Sequence, residues 1–200
     1  MTTPALTVAI LAGGAATRLD GRDKGLEPLA GKPMIEWVVD ACVRDVGEPV
    51  ELVVVANRHL DAYARYGRVS TDAEAGFHGP LAGIASALGA ATTACVLTLP
   101  VDCPDPPRDL AHRLTLALAS NDASAAVAHD GERRQPLFAL YRAGLADAAA
   151  AGAKAGRGVW EWQESIRALE VDFADRRRQF HNLNTPEDFA AYANAVRSRQ

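Results

Sequence analysis

The segment from Leu11 to Gly25 joins two adjacent glycines, Gly13 and Gly14, to two cations, Arg18 and Lys24, directly behind a short apolar run. Paired glycines let backbone N–H groups approach a phosphate closely and take φ > 0 where a turn needs it. Arg18 can fork onto phosphate oxygens, and Lys24 adds a compact point charge. The pattern is neither the dinucleotide fingerprint nor the Gly-x4-Gly-Lys-Ser/Thr loop, so it reads as a different phosphate cradle. Its plain alternative is a strand-to-helix turn with two solvated cations.

A second chemical group lies at Leu97-Thr98-Leu99-Pro100-Val101-Asp102-Cys103-Pro104, where two prolines stiffen the exit of an apolar run and hold Asp102 at its end. A carboxylate beside triphosphate oxygens repels them unless a hard cation lies between, and Mg²⁺ binds through one or two carboxylates plus phosphate oxygens. Asp102 is therefore the metal candidate; as a mere turn or helix-cap residue it would duplicate Asp105 or Asp109. Asp72 follows a short strand and precedes Gly79-Pro80-Leu81-Ala82-Gly83, whose glycines suit a backbone that approaches a base or ribose. Taken alone, that segment is equally a helix start at Pro80. Asn182-Leu183-Asn184 alternates, so both amides face one way while Leu183 enters the core. No Gly-x-Ser-x-Gly nucleophile and no His/Ser/Asp or His/Cys set is readable.

These groups need a scaffold, and the apolar periodicity supplies one. Strands are predicted at Thr7–Leu11, Leu52–Val55, from Val69, at Ala94–Leu99, Ser124–His129, Pro136–Tyr141 and Ala168–Phe173. Helices are predicted at Met34–Val46, Leu60–Tyr66, Pro80 to about Ala91 and around Leu110–Leu118, then through Trp160 and Trp162, and from Pro186 with Thr185 as N-cap. Ile35, Val38, Val39, Cys42, Val43 and Val46 form the apolar stripe of the first helix. Gly152–Gly158 reads as a loop. The alternation implies an α/β fold: a three-layer, Rossmann-like arrangement with a mostly parallel central sheet, to which an antiparallel element is added after residue 129 at the Asp130-Gly131 turn.

The chain has 200 residues and no dividing linker, which fits one domain. A net charge of -4 excludes a broad basic field for nucleic acid, so any polyanion must be held by local cations. Cys42, Cys95 and Cys103 have no metal or redox spacing, and Cys42 and Cys95 read as small core residues of a reducing compartment. No segment approaches the roughly 18 apolar residues of a membrane span, and a cytoplasmic location is expected.

Together the segments resemble the molybdenum cofactor guanylyltransferases, the MobA-type nucleotidyltransferases. The matching residues are Leu11-Ala12-Gly13-Gly14 through Arg18, Asp23-Lys24-Gly25-Leu26, Gly31-Lys32-Pro33, Ala56-Asn57-Arg58, Gly79-Pro80-Leu81-Ala82-Gly83, Pro100-Val101-Asp102-Cys103-Pro104 and Asn182-Leu183-Asn184-Thr185-Pro186-Glu187-Asp188. The resemblance implies the nucleotidyltransferase version of the fold, with a nucleotide-binding N-terminal part and an acceptor-binding C-terminal part. It also implies transfer of GMP from GTP to the phosphate of Mo-molybdopterin, with release of pyrophosphate and formation of the guanine dinucleotide. Leu11, Ala12, Gly13, Lys24, Asp72 and Asp102 would then contact GTP, with Gly14, Asn57 and Gly79 completing the nucleotide site and Asp102 on Mg²⁺. Arg18, Lys24, Asp102, Asn182 and Asn184 would carry the chemistry.

Gly13 after Ala12 matches the guanylyl version, whereas cytidylyl relatives tend to read Leu-Ala-Ala-Gly. Val55 is a departure, since family members often carry Asn there. Arg133, Arg134, Lys154 and Arg157 are pterin anchors by charge alone and otherwise a solvated surface. Contacts with enzymes that deliver molybdopterin or receive the cofactor are a further implication. Alternatives are transfer from CTP or to another phosphorylated acceptor, an inactive nucleotide-binding regulator, and a dinucleotide-dependent oxidoreductase, which the missing fingerprint disfavours.

Overall fold

The computed structural model describes residues 5–13, 23–46, 51–72 and 79–198. Seven strands form the main sheet: β1 (Leu6–Leu11), β4 (Glu51–Val55), β5 (Arg68–Ser70), β6 (Cys95–Pro100), β7 (Ala125–His129), β8 (Arg134–Arg142) and β9 (Leu169–Asp172). Two short strands, β2 (Pro28–Leu29) and β3 (Lys32–Pro33), make a separate antiparallel pair. The helices are α1 (Met34–Val46), α2 (Leu60–Tyr63), α3 (Pro80–Ala90), α4 (Leu110–Asn121), α5 (Ala146–Lys154), α6 (Val159–Ser165) and α7 (Pro186–Arg197).

The main sheet runs β5-β4-β1-β6-β8-β7-β9. Its pairings are parallel except those of β8 with β6 and β7, so the antiparallel element lies after residue 129 as expected. From β1 the chain winds outward to β4 and β5, then returns to the far side of β1 as β6. That reversal opens a crevice beyond the carboxyl ends of β1 and β6, the place where ligands bind in open α/β sheets. Leu11 is in register with Pro100, and the Val101 N–H donates to the Leu11 carbonyl at 3.1 Å, so the two exits leave side by side.

Alternation along the strands divides the core in two. Leu6, Val8 and Ile10 of β1, with Phe138 of β8, pack against Ile35 and Val38 of α1 and Leu110 and Leu114 of α4. Ala9, Val53 and Val55 face Leu81, Ile84 and Trp162 under α3 and α6. A third, small cluster joins Leu29, Met34 and Leu183, with Trp37, Phe189 and Tyr192 packed against it. Among the described residues no helix is long and apolar enough to cross a membrane.

Several expectations are corrected. Gly152–Gly158 is not all loop: α5 runs through Lys154, and Gly152 lies inside it because a Cβ there would come within 3.0 Å of Trp162. Its glycine serves close packing and does not break the helix. Val43 is 39% exposed, off the buried stripe of α1, and the Val46 side chain lies outside the described set. Helix α2 ends at Tyr63 rather than Tyr66. Cys95 is only partly buried, whereas Cys42 and Cys103 are buried, and all three are free thiols.

Asp109 does not cap α4 through its side chain. Asp109 occupies the cap position without a capping bond, and the Ala111 N–H donates instead to Asp45 of α1 at 3.2 Å. Burial pushes the Asp45 carboxyl up, the Ala111 bond pulls it down and the charge of Asp109 pushes it up again, leaving it at about 6. The raised value means that the folded chain holds this proton more tightly than the unfolded chain. Stability therefore falls as pH rises from the ordinary 3.8 through 6, and the cost persists above that. Asp45→Asn keeps an oxygen for Ala111 and removes the buried charge. Its urea midpoint should exceed wild type at pH 7.5 by about 1 kcal/mol or more of stability, with the gain gone near pH 4.

Candidate functional site

Lys24, Asp102 and Asn184 converge in the crevice. The Lys24 ammonium donates to Asp102 Oδ2 at 2.9 Å and to Asn184 Oδ1 at 2.7 Å, joining residues 78 and 160 positions away. Two of its three donors are thus directed by protein. Lys24 opens a one-turn 3-10 helix, Lys24–Leu26, capped by Asp23, whose Oδ1 accepts from the Gly25 N–H at 3.2 Å. The same oxygen accepts from the hydroxyl of the fully buried Tyr63.

The late segment reaches this crevice through specific ties. The Leu183 N–H donates to the Asp102 carbonyl at 2.8 Å, and the Leu183 side chain, 3% exposed, fills the cluster with Leu29 and Met34. As the alternation predicted, Leu183 is core, and the Asn184 side chain beside it turns to Lys24. Thr185 and Asp188 form a reciprocal capping box, and Asp188 also accepts from the Asn184 N–H at 2.8 Å. The start of α7 therefore fixes the backbone that carries Asn184.

Two oxygens here are buried without a hydrogen-bond partner, Asp102 Oδ1 and Asn182 Oδ1. Unpaired buried acceptors are costly, which points to a ligand or cation that completes them. Among the described residues no group of three His, Cys, Asp or Glu side chains is placed to cage a metal. One carboxylate with an unsatisfied oxygen suits a hard divalent cation that takes its remaining ligands from phosphate and water.

A second constellation lies past β4 and β5. Asn57 and Asp72 clasp reciprocally: Asn57 Nδ2 donates to Asp72 Oδ2 at 2.7 Å, and the Asp72 N–H donates to Asn57 Oδ1 at 3.0 Å. Ser86 of α3 adds a bond to Asp72 Oδ1 at 3.3 Å. A Cβ on Gly13 would lie 3.7 Å from Asn57 Nδ2, so this clasp borders the first loop. The Ala12 N–H is already bonded to the Val55 carbonyl at 2.9 Å and so is not offered to a ligand. Gly79 has φ +76 at the N-cap of α3, a backbone that disfavours other residues. Val55 is 1% exposed and packs under α3, so position 55 here is core and offers no ligand group. Gly14 and Arg18 lie outside the described residues.

On the opposite flank a cleft of about 720 Å³ is lined by Gln135, Arg133, Arg178, His181, Leu183 and Tyr192, among others. It adjoins the Asp102 and Asn184 segments through Pro104 and Leu183.

Residues 8–170 match the MobA-like NTP transferase domain. The chain belongs to that family. It is 42% identical over 184 residues to molybdenum cofactor guanylyltransferase from Shewanella sp. strain MR-4, covering 91% of this chain and 92% of that protein. The protein of the same name from Shewanella amazonensis is 40% identical over 193 residues, or 96% and 97% of the two chains. The crystal structure of molybdopterin-guanine dinucleotide biosynthesis protein A from Archaeoglobus fulgidus superposes with a TM-score of 0.78 at 25% identity, covering 97% of this chain and 100% of that one.

In this MobA-like chain, the four basic residues singled out by charge part company. Arg134 is 8% exposed, forks onto Glu170 and stands 4.7 Å over Trp160, so it is structural and not a solvated anchor. Arg157 lies 4.0 Å from Glu161 on the surface. Lys154 lines a separate groove with Ala85, Ser86 and Asp72, and Arg133 alone of the four lines the 720 Å³ cleft. Sequence reasoning missed Tyr63, Asp23 as a cap, Ser86 and Arg178. The Arg176-Arg177-Arg178 run was the one visible signal for the last of these.

Proposed function

We propose that this chain transfers GMP from GTP to the terminal phosphate of Mo-molybdopterin, releasing pyrophosphate and forming molybdopterin guanine dinucleotide. The observation that carries the reading is the meeting of Lys24, Asp102 and Asn184 at the switch point between β1 and β6. The names of the full-length relatives supply the donor and acceptor.

A phosphate oxygen of the acceptor attacks the α-phosphorus of GTP as the bond to the bridging oxygen of the β-phosphate breaks, and the electron pair leaves with pyrophosphate. A phosphate monoester is largely ionised near neutral pH, so the attack needs no strong base. The protein's work is alignment and charge neutralisation. Lys24 has a third N–H donor to give to phosphate, and Arg18 is assigned the departing pyrophosphate with it. Asp102 would hold Mg²⁺ jointly with phosphate oxygens, which draws charge off the reacting phosphorus. Leu11, Ala12, Gly13, Gly14, Asn57, Asp72 and Gly79 form the nucleotide side. Asn182, Asn184 and the Arg133–Arg178 cleft form the acceptor side, where amides and guanidinium groups suit a pterin edge and its phosphate. The nucleotide thus belongs to the N-terminal part of one domain and the acceptor to the C-terminal part. The same proposal includes a cytoplasmic setting and handover from and to other cofactor-handling enzymes.

Pyrophosphate release with Mg²⁺ and molybdopterin tests it, with GTP, CTP and ATP compared. Turnover with GTP should exceed that with the others by about 10⁴-fold, the scale on which a hydrogen-bonding site rejects a substrate that leaves its polar groups unpaired. Preference for CTP would move the chain to the cytidylyl reading, and tight GTP binding without release would make it a regulator.

A further inference from the structure

Among the described residues the Tyr63 hydroxyl is a buried polar group beside the Lys24 turn to which the proposed reaction gives no task. Tyr63 is fully buried at the end of α2, and its hydroxyl donates to Asp23 Oδ1. That oxygen already accepts from the Gly25 N–H in the turn that carries Lys24. Burial, with the bond to Asp23 and its charge, pushes the phenol far above its ordinary range, so it remains a donor. Gly25 is fitted to it: a Cβ there would collide with the Tyr63 hydroxyl.

Asp23 is an unexpected residue beside a triphosphate. A free carboxylate next to Lys24 would repel the phosphates and compete with Asp102 for the ammonium. In the structure its Oδ1 is turned toward a buried ring and committed to two donors. The segment that does this also carries Asn57, six residues earlier, which clasps Asp72. One short stretch after β4 therefore fixes the carboxylates on both flanks of the nucleotide side.

We propose that Tyr63 is a positioning residue for nucleotide transfer, holding the Asp23 carboxylate away from the bound phosphates and so leaving the Lys24 ammonium to them and to Asp102. The inference rests on the transferase reading of the site.

Tyr63→Phe keeps the ring and removes only the hydroxyl. It is expected to lower kcat/KM for the nucleotide at least tenfold, through nucleotide KM and kcat, with the KM of the acceptor unchanged. Adding Asp23→Asn, which retains an oxygen for Gly25 but no charge, should restore the double variant to within threefold of the Asp23→Asn single variant. A purely structural hydroxyl would show no such rescue. The proposal is overturned if folded Tyr63→Phe stays within twofold of wild type, or if Asp23→Asn leaves its defect in place. A wild-type protein inert with every nucleotide would refute the transferase reading instead. Calorimetric Mg²⁺–GTP affinities of the same variants, read against the same thresholds, would then decide the role of Tyr63.

Discussion

Asp102→Asn should lower nucleotide transfer by roughly 10³-fold while the protein stays folded, the loss expected when a preorganised charge at the reacting centre is removed. The side chain keeps its size and one oxygen but loses the charge that balances Lys24 across 2.9 Å and that, in the proposed reaction, would hold a divalent cation. The loop should hold its place, because its tie to the late segment runs from the Leu183 N–H to the Asp102 backbone carbonyl, which the substitution leaves untouched. Transfer assays paired with melting curves separate the two effects. Lys24→Met should cost a similar amount, and the double variant far less than the product of the two, since the pair acts as a unit. Wild-type turnover in Asp102→Asn would remove Asp102 from the mechanism.

The second large effect is expected from the addition of a single methyl group. In Gly25→Ala the new Cβ would lie 2.9 Å from Val101 Cγ2 and nearer still to the Tyr63 hydroxyl, so either these buried side chains or the turn itself must give way. Gly25 follows Lys24 and Val101 precedes Asp102, so movement of the turn away from Val101 is expected to spread the two charged groups that the crevice brings together. Overpacking of this kind costs about 1–3 kcal/mol of stability. A displacement near 1 Å between reacting groups costs on the order of 10² in rate. Val101→Ala in the same chain should recover only part of both losses, because it relieves the Val101 contact and leaves the nearer one with the Tyr63 hydroxyl. A Gly25→Ala protein with normal melting and normal turnover would show that the turn at Lys24 tolerates movement.

Legibility from sequence followed the range of the interaction concerned. Strand β6 and helix α7 were readable because their signals are local: an apolar run stopped by Pro100, and Thr185-Pro186 with Asp188 three residues past the cap. Lys24, Asp102 and Asn184 were each legible as chemistry, because glycines, prolines and alternation mark their segments. What escaped depends on distant packing. Gly152 reads as a helix breaker until Trp162 is seen against it. Tyr63 reads as one more core aromatic until its hydroxyl is seen on Asp23. The cap of α4 comes from Asp45, 66 positions from Ala111, which no reading of the sequence around Asp109 can reveal.

The small cluster of Leu29, Met34 and Leu183 has a consequence for synthesis of the chain. Translation delivers Lys24 early, yet its Asn184 partner emerges 160 residues later, after every strand of the main sheet. A nascent chain could assemble the sheet and still hold an open, incomplete crevice until Leu183 docks. If Lys24 and Asn184 act together as proposed, competence for transfer is acquired late, when the segment that reports a nearly complete sheet closes on the segment that begins the site.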